Sequence, residues 1–363
     1  MKKLFAVCLL LLYLFPVCAC AQTQAEKLME AYDYDLKVDG GSFEDYTKRV
    51  AAGESVFGFS DILRMLTTSI RKDGKDILSL LLKITAVSVL FAVLTNMQHG
   101  FGENAVRETV FFVCYLVIGG MAAEAFSEAM HSFESTVGSA VTVMNGCVPI
   151  LTGLLLAGGN PVTASGVNPV VLTGCALLGN LLRMFVVPVL YSLAAFAMVS
   201  GISRSVRLDG FCAFLKKLVR WGLCFLMTAF SGLLAVQGFG GSAMDAMSAK
   251  TARYIVSNGV PVVGGILSDT LDTVARSTVL IKNATGVAGI VVLFTICILP
   301  VAKIAVTALA FHLTAAVIQP VADRRIYATV SALAEVLSLM VGVLCALFVM
   351  FVICISMLLC MGG

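Results

Sequence analysis

The sequence predicts an all-α, polytopic helical membrane protein with a small exported amphipathic-helical region at its N-terminus. Three observations carry that expectation. Hydrophobic residues fill 59% of the 363 positions and charged residues only 13%, against about 25% charged in ordinary soluble domains. Mean hydropathy is +0.96, too high for a globule that must still cover its surface with polar groups. Beyond residue 76, apolar runs of spanning length recur, and a spanning helix needs about 20 mainly apolar residues. The net charge of +3 gives no electrostatic footprint for nucleic acid.

Residues 1–21 read as a signal peptide. Lys2 and Lys3 form a basic n-region, Leu4 to Val17 a short apolar run, and Ala19-Cys20-Ala21 the small-x-small pattern of a cleavage site. Cleavage there leaves Gln22 first. Val17-Cys18-Ala19-Cys20 also reads as a lipobox with Cys20 lipidated, and retention as an anchor is a third reading. All three place residues 22–76 outside the cytoplasm. That extracytoplasmic region is polar, with 8 basic and 11 acidic residues. Ser42 with Asp45 three residues on suggests a helix cap, followed by Phe43, Tyr46 and Val50 at helical spacing. A second stripe, Phe59, Ile62, Leu63, Leu66 and Ile70, starts beside Ser60.

Residues 77–363 form the multi-pass domain. Segments 77–95, 109–126, 218–236 and 336–360 are candidate spans, and 137–157 is another, interrupted by Pro149, Gly153, Gly158 and Gly159. Segments 168–201 and 286–318 are too long for one span. Arg183 and Pro188 lie inside the first, Pro300 and Lys303 inside the second, so each predicts two short helices or one long broken helix. Short basic loops face the cytoplasm. Arg204, Arg207, Lys216 and Lys217 against Asp209, and Arg324 and Arg325 against Asp323, mark two such loops. The implied path runs inward through 77–95 and outward through 109–126. It then makes three crossings through 137–157 and both halves of 168–201, and the C-terminus lies outside.

An internal repeat is possible. VPILTGLL at 148–155 and VPVVGGIL at 260–267 lie 112 residues apart, and the same offset pairs Thr173-Gly174 with Thr285-Gly286 and Pro188-Val189 with Pro300-Val301. This suggests like-oriented repeats at 109–217 and 221–328 and a final helix at 330–360; the plainer account is chance agreement in a biased composition.

The polar residues between apolar flanks need explaining. In 237–285, Gly238, Gly240 and Gly241 read as a flexible opening. Asp245 and the candidate subunit-contact or pore-lining residues Lys250, Arg253, Asn258, Pro261, Gly264, Asp269, Asp272, Lys282 and Asn283 follow. Asp269, Asp272 and Arg276 fall on one helix face, so a short polar helix or re-entrant hairpin is expected. An ordinary extracytoplasmic loop with a solvated charged face is the alternative. Lys83, Arg183, Lys303 and Glu335 sit in or at the edge of spans, where charge is costly and faces a bundle interior or water or snorkels to the headgroups. His99, His131 and His312 are scattered.

No catalytic, cofactor or metal-ligand set is visible. The twelve cysteines include no C-x-x-C pair, and Walker-type, H-E-x-x-H and G-x-S-x-G motifs are missing. The chain therefore does not read as an enzyme, and if it moves a solute it lacks its own ATPase.

The run Lys250…Arg253-Tyr254…Asn258…Pro261-Val262-Val263-Gly264…Asp269…Asp272-Thr273…Leu280-Ile281-Lys282-Asn283…Gly286 resembles the central region of the stage III sporulation protein AE family. The likeness continues through Pro300…Lys303 and Gln319-Pro320 and covers nearly the whole chain, though the exported part is shorter than expected of the family. The resemblance implies a membrane subunit of a channel-like complex needed for endospore formation, joining mother cell and forespore from the outer forespore membrane. It also implies partners: other stage III sporulation membrane proteins including an ATPase subunit, a forespore-side channel partner and a YidC-type insertase. A self-sufficient secondary transporter for a small solute is the alternative function.

Overall fold

The computed structural model describes residues 104–202, 209–259, 264–320 and 322–361, together with the helical stretch 82–90 and positions 79 and 93. The predicted signal peptide, the exported polar region, Arg204, Arg207 and Pro261 lie outside them. The architecture is all-α. Its helices are α1 (Asn104–Ala157), α2 (Pro161–Leu181), α3 (Val187–Ile202), α4 (Asp209–Gly259), α5 (Gly264–Ile318) and α6 (Arg324–Cys360), and a π-helical turn, Leu182–Val186, joins α2 to α3. Five rods, with α2 and α3 forming one, are long and apolar enough to cross a membrane.

Two predicted span boundaries are corrected. Segments 109–126 and 137–157 belong to the single helix α1, because Ser127, Glu128, His131 and Glu134 between them lower hydropathy without breaking a helix. Pro149 stays inside α1, where Thr152 donates to the carbonyls of Val148 (2.9 Å) and Pro149 (3.1 Å). Proline is tolerated inside membrane helices because neighbouring helices and local backbone adjustment satisfy the freed groups. Segment 286–318 is likewise part of one helix that runs through Pro300. Segment 168–201 is the long broken helix of the two readings, its break being the π turn at Arg183. The path therefore loses two crossings between 109 and 202, an even number, so the sidedness of every later loop is unchanged.

The expected flexible opening and short polar hairpin in 237–285 are corrected too. Gly238, Gly240 and Gly241 lie within α4, and the polar residues continue the long helices α4 and α5.

Real stops occur where backbone chemistry demands them. After α1, Gly158 N donates to Leu154 O (2.9 Å), and Gly159 takes φ 87°, a left-handed conformation that glycine adopts at no steric cost. Pro161 then opens α2 at a position whose missing N–H would be unpaired anyway. Asp323 caps α6, its carboxylate accepting from Arg325 N at 2.9 Å.

The rods alternate in direction. At one end, the start of α1, the end of α3 and the start of α6 meet: Tyr115 Oη donates to Met198 O at 2.5 Å and lies 3.0 Å from Thr329 Oγ1, and Arg325 stacks 3.5 Å over the Phe111 ring. Both described basic segments, at the starts of α4 and α6, belong to this basic end. At the opposite, far end, α4 reaches the start of α2 and α5 reaches the end of α6. The central helix α6 packs on α1, α3, α4 and α5. Small residues permit close approach: the Phe230 ring covers Gly174, Leu359 covers Gly286, and Val141 lies where a Cβ on Gly179 would be 2.9 Å away.

Candidate polar sites in the helix bundle

Charge is absent from one layer of the bundle. Residues 135–157 of α1, 161–182 of α2 and the π turn, 221–244 of α4, 283–302 of α5 and 336–360 of α6 contain no Asp, Glu, Lys, Arg or His. These are runs of about 20 to 25 residues, roughly 30–38 Å at 1.5 Å per residue, and they match a hydrocarbon core about 30 Å thick. The layer is bounded on one side by a polar belt and on the other by two buried charges.

The two buried charges sit on helix ends with the sign that the helix dipole favours. Asp245, 1% exposed, accepts from Val162 N (2.9 Å) and Thr163 N (2.8 Å) at the start of α2. The N-cap residue Asn160 gives the helix start no side-chain cap bond, and a carboxylate from α4 caps a helix more than eighty residues away. Lys282, 1% exposed, donates from Nζ to the carbonyl of Met361, the C-cap of α6. A buried charge is tolerated when hydrogen-bonded in this way.

The belt contains the predicted intramembrane charges. Lys303 Nζ lies 2.7 Å from Glu128 Oε1, linking α5 to α1. Lys216 Nζ lies 2.5 Å from Glu335 Oε2, linking α4 to α6. Arg183 projects from the π turn onto Gly138 of α1, where a Cβ would come 2.6 Å from its Nη2. Its guanidinium has no hydrogen bond or ion pair among the described residues. It opens on a groove of about 540 Å³ shared with Ser127, His131, Glu134, Ser135 and Tyr191. A second cleft of about 640 Å³ lies between α3, α4 and α6, with Lys216, Lys217, Arg220 and Glu335 on its walls. Lys83 is exposed on the 82–90 stretch.

The predicted contact residues divide. Lys250 and Asn283 are exposed, and Lys282 is turned inward. Arg253 and Asn258 lie on α4, and Gly264, Asp269 and Asp272 on α5, with side chains outside the described residues. Sequence reasoning missed Asp245 as a cap and Glu128 and Lys216 as partners, since each acts on a helix distant in sequence. No local signal pointed to the distant cap, because Asn160 before Pro161 reads as an ordinary N-cap. Among the described residues, no group of three or more His, Cys, Asp or Glu side chains could hold a metal, and the cysteines are free thiols.

Beyond the charge-free layer the rods continue through the belt toward the basic end. Residues 108–134 of α1 alone add about 39 Å, with Phe112, Leu116, Met184, Leu309, Leu313 and Val317 exposed in this outer half.

Comparison with known proteins gives two matches. The family model described as Stage III sporulation protein AE matches residues 41–362. A curated relative named Stage III sporulation protein AE, from Bacillus subtilis (strain 168), is 24% identical over 277 residues, which cover 76% of this chain and 69% of the relative. No solved structure matches.

Proposed function

The chain belongs to the stage III sporulation protein AE family, and from that premise we propose that it is an integral membrane subunit of a multiprotein channel or secretion-like complex. That complex serves endospore formation between mother cell and forespore, and this subunit acts in it as a platform in the outer forespore membrane. A role in sporulation and a place in a membrane come with the family and the five apolar rods. The conduit, its ATPase subunit, its forespore-side partner and the YidC-type insertase are the proposal.

One observation supports it above the others. The rods are about twice as long as a bilayer requires, and exposed apolar side chains continue through the half that lies beyond the charge-free layer. Lipid can cover only one of the two halves, because α1 runs about 75 Å over residues 108–157, more than the roughly 40–45 Å of a whole bilayer with headgroups, and its exposed Phe112 and Leu116 lie beyond the polar stretch at Glu124–Glu134. Large exposed apolar patches outside lipid mark protein contacts. A subunit of an assembly has such a surface to bury; a self-sufficient transporter would have no use for it.

The test is a pull-down of the tagged full-length chain, in mild detergent, from sporulating cells. Leu116→Glu with Leu313→Glu is expected to abolish co-purification of other stage III membrane proteins while the variant still reaches the membrane. If the wild type comes down alone, the platform reading fails and vesicle transport assays replace it.

A further inference from the structure

The cleft between α3, α4 and α6 has a composition that neither packing nor the platform reading uses. Glu335 neutralises Lys216, which leaves Lys217 and Arg220 on the same wall with no ion pair among the described residues. The hydroxyl-bearing residues Ser200, Ser331 and Tyr327 line the opposite walls. The site therefore carries an excess of two positive charges with hydrogen-bonding groups around it, the chemistry that holds a phosphate.

Its depth is equally specific. Arg220 is the last charge before the charge-free stretch of α4, so the cleft opens at the edge of the layer that matches hydrocarbon. Trp221, the only tryptophan in the chain, follows at once and is 74% exposed, as is Phe225 one turn further in. Tryptophan concentrates at the headgroup level of membranes. Basic pockets between spanning helices on the basic side hold anionic headgroups.

We infer that this cleft binds the phosphate headgroup of an anionic phospholipid, with Lys217 and Arg220 on the phosphate and the acyl chains over Trp221 and Phe225. A free phosphate shares the headgroup chemistry but not the acyl contact. The inference rests on the charge-free layer and is independent of the conduit.

Trp221 supplies the readout. The full-length chain is placed in bilayer discs of phosphatidylcholine, and lipid with brominated acyl chains is titrated in, either as phosphatidylglycerol or as phosphatidylcholine. Wild type is expected to show Trp221 quenching at a roughly fivefold lower fraction of the brominated anionic lipid. Lys217→Gln with Arg220→Gln should remove that preference, and Lys217→Arg with Arg220→Lys should keep it, which separates charge from misfolding. Arg324→Gln, a basic-end change outside the cleft, should leave it intact. Equal quenching by both lipids in wild type overturns the inference. Abolition of the preference by millimolar inorganic phosphate also overturns it, by reassigning the cleft to a soluble anion.

Discussion

The two halves of the bundle are built from the same helices and both expose apolar side chains, yet they solve different problems. In the charge-free half, each rod gives up every ionic group for about 20 to 25 residues, and the two buried charges at its far edge are spent on helix ends. In the outer half, ion pairs tie rod to rod, Lys303 to Glu128, Lys216 to Glu335 and Arg325 to Glu108, while apolar side chains still face outward. Exposed apolar side chains do not distinguish these halves. The distribution of charge does, because lipid penalises an ion far more than it rewards one more leucine.

Charges introduced into each half should break the comparison most sharply. Leu344→Arg, at a buried position in the charge-free half of α6, is expected to cost about 3 kcal/mol or more and to deplete the protein from membrane fractions. Leu313→Glu, exposed in the outer half, should leave membrane levels unchanged. Equal depletion by both would mean that the outer half is also lipid-embedded.

The next effect tests the caps. Asp245→Ala removes two charge-assisted bonds, to the part-buried N–H of Val162 and the buried N–H of Thr163, and should lower stability by about 2–3 kcal/mol, read as a drop in thermal unfolding temperature in detergent. Asp245→Asn should recover part of the loss, since asparagine also caps helix starts.

Smaller changes sharpen the account of the outer half. Tyr115→Phe removes the hydroxyl that joins α1 to Met198 and Thr329 and should cost about 1 kcal/mol in the same thermal assay. For the half-exposed pair Lys303–Glu128, a double-mutant cycle with Lys303→Met and Glu128→Gln should give a coupling below about 1 kcal/mol. A coupling several times larger would show that water does not reach that pair in the assembled state.

Much of the fold was legible. Apolar runs located every rod, and the two basic segments at the starts of α4 and α6 fall at one end of the bundle, on the same side as each other. The misreadings share a cause. Glu128, His131 and Glu134 look like a loop in a hydropathy profile, but a helix does not end because its side chains turn polar; it ends where the backbone is forced, as at Gly159 with φ 87°. The partners Asp245–Val162, Lys282–Met361 and Lys216–Glu335 were illegible because rod-to-rod neighbours depend on how helices are packed, which periodicity within one helix does not encode. The 112-residue offset maps α1 onto α4 and the α2–α3 rod onto α5 in the same direction. Superposition of the two pairs remains the measurement that decides the repeat.

The cap that Asp245 places on α2 also sets an order of events in time. Ribosomes deliver about 5–20 residues per second, so this carboxylate emerges roughly 4–17 s after the helix start it serves, 83 residues earlier. Through that interval a newborn α1–α2 hairpin carries two bare N–H groups at its tip. The hairpin matures only when α4 follows it, which makes the first half of the chain a dependent of the second during synthesis.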